Sequence, residues 1–178
     1  MKILFIVIIF FSVLNVNGQS VDNTSYITQT GEKVLRLEVI LPVDIKEAWN
    51  LFTDDNQLKR WIAPLAHIEL KNGGYIITNY DETKSLTDST AIKLNIINYI
   101  QDEMITLKVN LNNDFPGNIK EEDQNLQEII QLVYIEPKKT KIISSMLGWG
   151  QGEDWEKTYR FFEKGNIWTY EEMKKLFQ

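Results

Sequence analysis

Few side chains in these 178 residues can carry reaction chemistry, and their types exclude several mechanisms at once. His67 is the single histidine and there is no cysteine. A zinc site built from several imidazoles and a thiolate nucleophile are therefore both ruled out. His67 could act as a general base, but such a base needs an orienting partner, and no spacing in the sequence supplies one. A strand position beside a hairpin is the plainer assignment for it. Ser144 and Ser145 fall in an expected strand without the glycine elbow that exposes a nucleophilic serine. They read as residues lining a sheet. Glu121, Glu122 and Asp123 lack the alternating spacing of a calcium loop and read as a solvated acidic turn. Gly148, Gly150 and Gly152 match neither a dinucleotide fingerprint nor a P-loop. They suit a chain swinging from a last strand into a helix, with Trp149 plugging one end of the space there. No catalytic residue, metal or cofactor is assigned on these grounds.

Aromatic residues offer more. Trp49, Trp61, Trp149, Trp155 and Trp168 make five tryptophans, joined by Tyr75, Tyr159 and Phe162. One aromatic ring buries roughly 150–250 Å² and can anchor a helix on a sheet. Rings of this kind can also line a pocket for an apolar or planar ligand. Trp49 reads as core. Trp61, Tyr75, Trp155 and Tyr159 fit either use. With Leu107, Ser144, Trp149 and Phe162 they form the candidate ligand-binding set.

These residues need a scaffold, and hydrophobic periodicity supplies one. Val34 to Leu41 alternates around Arg36 and Glu38, the pattern of a strand with one wet face, and Pro42 stops it. Asp44 and Glu47 form a capping-box pattern, so a helix is expected over about 45–52. Asp54 and Gln57 repeat it for a second short helix ending before Pro64. Strands over 67–70 and 74–80 flank Asn72-Gly73, a hairpin signal. Strands near 92–96 and 105–111 follow, then a polar stretch over 112–125 read as a long exposed loop. Two further strands, over 126–135 and 140–147, turn at Pro137-Lys138-Lys139. From Gly152 the period becomes helical, with Trp155, Tyr159 and Phe162 at i, i+4 and i+7. Gly165-Asn166, followed by Thr169 and Glu172, reads as a stop and a fresh helix start.

Residues 1–18 read as a secretory signal peptide. Lys2 precedes an apolar run over Ile3–Leu14 broken only by Ser12, and Val16 and Gly18 favour cleavage before Gln19. The run is about a dozen residues, against roughly 20 for a helix that spans a bilayer. The expected mature protein is thus exported, periplasmic or secreted, with no transmembrane anchor. Without cysteine it carries no lipid at the cleavage site and no disulfide. Residues 19–32 read as a flexible leader and 33–178 as one domain, large enough for an ordinary core. The full chain has 19 basic and 25 acidic residues, a net charge of −6. There is no basic stripe with interleaved aromatics, so nucleic acid is not expected as a partner.

The order is strand, two short helices, about six strands and a long C-terminal helix. It resembles the α+β helix-grip fold of the START-like, birch-pollen-allergen-like superfamily called SRPBCC. Leu41-Pro42, Ala48-Trp49, Phe52, Trp61-Ile62-Ala63-Pro64, Gly73-Gly74-Tyr75 and Gly148 to Trp155 carry the likeness. They are most similar to its branch of homologues of the heat-shock-protein-90 ATPase activator. The resemblance implies a curved antiparallel sheet of six to seven strands wrapped on the C-terminal helix, with a cavity between. Fold does not fix activity, and an export leader sets the chain apart from a cytosolic ATPase. Three functions stay open: a binding protein for a small, mostly apolar molecule; a protein-interaction module with a filled cavity and an outer apolar patch near Phe115-Pro116; and a cyclase- or hydrolase-like enzyme.

Overall fold

A computed structural model describes residues 20–112, 115–123 and 125–178. The expected signal peptide and its cleavage point lie outside them. Seven strands form the body of one antiparallel sheet: β3 (Lys33–Leu41), β4 (Leu65–Glu69), β5 (Tyr75–Asn79), β6 (Ile92–Ile100), β7 (Met104–Val109), β8 (Gln127–Glu136) and β9 (Lys139–Leu147). Their order across the sheet is β3-β9-β8-β7-β6-β5-β4. The chain thus returns from β9 to pair with β3 after building outward strand by strand. Alternation sets the faces: Leu35, Leu37, Val39 and Leu41 turn inward on β3. Arg36 and Glu38 turn outward, where Glu38 also meets Lys141 of β9.

Two capped helices carry the chain from β3 at one side of the sheet to β4 at the other. In α1 (Ile45–Thr53) the Asp44 Oδ1 accepts from the Lys46 and Glu47 N–H groups, each at 2.9 Å. Asp54 does the same for Asn56 and Gln57 at the start of α2 (Asp55–Leu58). Each side chain satisfies N–H groups that have no partner within the helix. Ala48, Trp49, Leu51 and Phe52 then bury one face of α1, and Trp49 takes the core role read from the sequence. β4 lies at the edge beyond β5, where Asp55 Oδ1 accepts the Ile68 N–H at 2.8 Å.

Three expectations are corrected. The leader over 19–32 contributes β1 (Asp22–Asn23) and β2 (Tyr26–Ile27), both antiparallel to β3. The polar stretch over 112–125 contains α3 (Gly117–Glu122), held by one buried apolar residue, Ile119. One anchor in a helix this short leaves no period to read. The acidic turn there is also engaged: Asp123 takes both oxygens to Lys108 Nζ at 2.8 Å, and its side chain is 6% exposed.

The third correction is at Gly165, because α4 (Glu153–Lys175) runs without a break. Thr169 does not cap a new helix; its hydroxyl donates back to the Gly165 carbonyl at 2.9 Å. Both ends of α4 are fastened. Trp155 and Thr158 are buried near its start, and Tyr170 and Met173 near its finish. Those anchors outweigh the roughly 1 kcal/mol that a mid-helix glycine costs relative to alanine. A Cβ added at Gly165 would meet nothing within 4 Å. Gly165→Ala is therefore expected to stabilise the protein by about 0.5–1 kcal/mol, read as a higher urea midpoint at unchanged slope.

The approach to α4 explains two of the three alternating glycines by close contact, while Gly152 is set by its φ of +103°. At Gly148 φ is +85°, and a Cβ would lie 2.0 Å from the Asn125 carbonyl oxygen. At Gly150 it would lie 2.2 Å from Trp155 Nε1. The backbone passes too close to its neighbours for any side chain.

Candidate functional site

Between the inner face of the sheet and the middle of α4 lies a cavity of about 800 Å³. Its walls follow from the strand parity. Ile76 and Thr78 of β5, Leu107 and Val109 of β7, and Ile130 of β8 point into it. Phe52 and Leu58 close it from the helix pair, and Phe162 and Tyr170 from α4. Phe161, Trp168 and Tyr80 stand at its rim, 62%, 55% and 51% exposed.

The candidate residues divide. Trp61, Leu107 and Phe162 line the cavity. Trp61 is fixed by three contacts: its Nε1–H donates to the Leu51 carbonyl at 2.9 Å, it meets Phe52 edge-on, and it stacks on Tyr170 at 6.0 Å. Ser144 lies just behind the wall and reaches it through Glu128. Trp149 packs against Tyr159 and Phe162 and donates to the Met146 carbonyl at 3.1 Å, outside the lining. Trp155 is buried under Gly150 with its Nε1–H on Glu122. Tyr159 faces the leader, with Lys33 Nζ 5.4 Å from its ring and Lys33 itself paired to Glu156. Tyr75 belongs to the outer face, where Lys93 Nζ sits 4.1 Å from its ring. The neighbouring Ile76 and Thr78 take the inward positions, which fixes Tyr75 outward.

His67 shares that outward parity. Its Nδ1 lies 2.7 Å from Asp55 Oδ2, and both side chains are partly exposed. The orienting partner that the sequence did not disclose is thus present, but the pair is absent from the cavity lining. Burial pushes the Asp55 carboxyl up. The His67 hydrogen bond, the Ile68 N–H and nearby positive charge together hold it below its ordinary value.

The polar centre of the cavity is a residue that sequence reading passed over. Glu128 on β8 is registered opposite Leu107 of β7 and Met146 of β9, among inward-facing residues. Ser144, its diagonal neighbour across the strand pair, donates its hydroxyl to Glu128 Oε1 at 2.6 Å. Tyr170 donates to the same oxygen at a longer 3.4 Å. Among the described residues no lysine or arginine contacts this carboxyl. Burial pushes it above its ordinary value of 4.5, and the Ser144 and Tyr170 hydrogen bonds only partly oppose that. Burial and the adjacent Glu128 charge push the Tyr170 phenol well above 10. The sequence did carry a signal. Glu128 has the same parity as Ile130 and Leu132, both buried.

Among the described residues no group of three His, Cys, Asp or Glu side chains could hold a metal ion. No helix among them is long and apolar enough to cross a membrane.

An open antiparallel sheet closed over a C-terminal helix, with two short helices after its first long strand, defines a helix-grip protein of the SRPBCC superfamily. Residues 42–178 match the family of Activator of Hsp90 ATPase homolog 1-like proteins, and the chain belongs to it. Solved structures agree on the fold. A conserved protein of unknown function from Enterococcus faecalis superposes with a TM-score of 0.63 at 13% identity, over 86% of this chain and 75% of that one. An HSP90 activator from Plasmodium falciparum gives 0.52 at 16%, over 74% and 88%. The Aha1 dimer from Colwellia psychrerythraea gives 0.53 at 13%, over 76% and 92%. No curated protein matches this chain significantly.

Proposed function

We propose that this is an exported binding protein that holds a small, mostly apolar molecule between sheet and C-terminal helix. The observation that carries the reading is the open, apolar cavity of about 800 Å³. That volume falls in the roughly 300–1,000 Å³ range of small-molecule sites. Affinity comes from apolar area removed from water, at about 25 cal/mol per Å² before the costs of association. The exposed rings of Phe161 and Trp168 give an apolar ligand a landing surface at the rim. Export rests on the residue pattern over 1–18.

Native mass spectrometry of the protein purified from its own host, followed by organic extraction, tests both parts. The expected result is a chain beginning at Gln19 that carries a co-purifying apolar molecule. An intact N-terminus would overturn export. A chain that neither carries nor takes up an apolar compound would overturn binding and favour a module that docks a protein on the Phe161–Trp168 face. A second reading, acid–base catalysis on the bound molecule, is favoured by one observation, the half-buried carboxyl of Glu128 in the cavity wall. It predicts that an extracted ligand is chemically altered on incubation with fresh protein.

A further inference from the structure

Glu128 is an unusual residue for an apolar container. Its Oε1 accepts from both Ser144 and Tyr170, while no donor among the described residues bonds Oε2. No buried side-chain oxygen among those residues is both sealed from solvent and unpartnered, so Oε2 keeps accessible surface. Glu128 lines the cavity, and that surface opens into it. The site therefore presents one free carboxylate acceptor, held in place by two donors, in a mostly apolar wall.

We infer that Glu128 Oε2 receives the ammonium end of a lipophilic amine whose apolar body fills the rest of the cavity. This rests on the small-molecule reading above and specifies its ligand class. The charges around the cavity decide among ligand ends. Its lining includes one cation, Lys157, which is already engaged by Glu153 at 2.9 Å and Asp154 at 3.4 Å on its own helix. A carboxylate-ended ligand finds no counter-charge beside Glu128 and meets a second carboxyl instead. An alcohol offers one donor without charge. An ammonium supplies the cation that Glu128 lacks, and the attraction is stronger in a site shielded from water than at a surface. Burial favours the protonated form of Glu128 in the empty cavity. A neutral amine takes that proton on entry, and an incoming ammonium displaces it to solvent. Either way the bound pair is carboxylate and ammonium. The titratable groups facing Glu128 are Tyr80 and Tyr170, and both phenols are pushed up and stay neutral.

The test is displacement of the neutral dye Nile red from the purified protein by dodecylamine, dodecanol and dodecanoate, which share one chain length. Dodecylamine is expected to displace the dye at least about tenfold better than either competitor. In Glu128→Gln the ratio of amine to alcohol is expected to fall toward one. A protein that takes up no dye overturns the cavity reading and this inference with it. Dye uptake with no preference for the amine, or a preference that survives in Glu128→Gln, overturns this inference alone. A variant-free measurement stands beside it. With a carbodiimide the bound amine nitrogen attacks the activated Glu128 carboxyl, forming an amide while the carboxyl oxygen leaves on the urea. Peptide mapping should place that amide on Glu128. Labelling confined to surface carboxylates would overturn the assignment.

Discussion

Replacing Trp61 by alanine is expected to cost about 3–5 kcal/mol of stability, the range for removing a large buried aromatic. The indole is 5% exposed and joins three elements: α1 through Leu51 and Phe52, the cavity wall, and α4 through Tyr170. Its loss opens a void in the core and leaves the Leu51 carbonyl without its donor. Domains of this size have about 5–15 kcal/mol in all, so much of the folded state's margin would go. Urea denaturation reads the loss. Trp61→Phe separates its causes, since a ring remains while the Leu51 hydrogen bond disappears, at about 1–3 kcal/mol. An alanine variant within about 1 kcal/mol of wild type would mean that the indole is not packed as described.

Glu128→Gln should act in the opposite direction, and only above a definite pH. Glu128 is raised in the folded state from its ordinary 4.5. Below that value both folded and unfolded chains hold the proton, and the group contributes nothing to the balance. As pH rises past it, the unfolded chain ionises while the folded one resists. Stability is lost progressively until the folded-state value is passed, and the penalty is constant thereafter. Glutamine keeps an acceptor for Ser144 without any charge. The variant should therefore be more stable than wild type at neutral pH by about 1–3 kcal/mol, the usual cost of an uncompensated buried polar group. That advantage should disappear near pH 4. Other carboxylates titrate alike in both proteins and cancel from the difference. A difference that does not change between pH 4 and pH 8 would show that Glu128 ionises freely in the folded chain.

The sequence made the scaffold legible because its signals are local. Asp44 and Asp54 announce two helix starts, and both side chains accept the N–H groups expected of them. Alternation around Ile105, Leu107 and Val109 places Leu107 inward, and it lines the cavity. Where the reading failed, the deciding contacts are distant. Trp155, Tyr159 and Phe162 share one face of α4 by spacing. Along its length that face meets a glycine turn, the leader strands and the cavity in succession. One stripe therefore serves three environments. Gly165 looked like a stop because the tertiary anchors at each end of α4 leave no local trace. Glu128 was missed because a glutamate in a strand reads as a wet-face residue. Its parity with Ile130 and Leu132 outranks its chemistry.

The two margins of the sheet bear on how copies of this protein can meet. A sheet that does not close on itself ordinarily ends in rows of unpaired N–H and C=O groups, which invite a strand from another chain. Here the outer side of β3 is taken up by Asp22–Asn23 and Tyr26–Ile27, with the Thr24 N–H on the Arg36 carbonyl. At the far side β4 is only five residues long, and the Asp55 carboxylate occupies the Ile68 N–H. Growth by strand addition, the route to fibrils, is thereby obstructed at both margins. Contacts between copies are left to side chains, and the exposed apolar ones among the described residues include Phe161, Trp168 and, on the hairpin arm of β8, Val133, Tyr134 and Ile135.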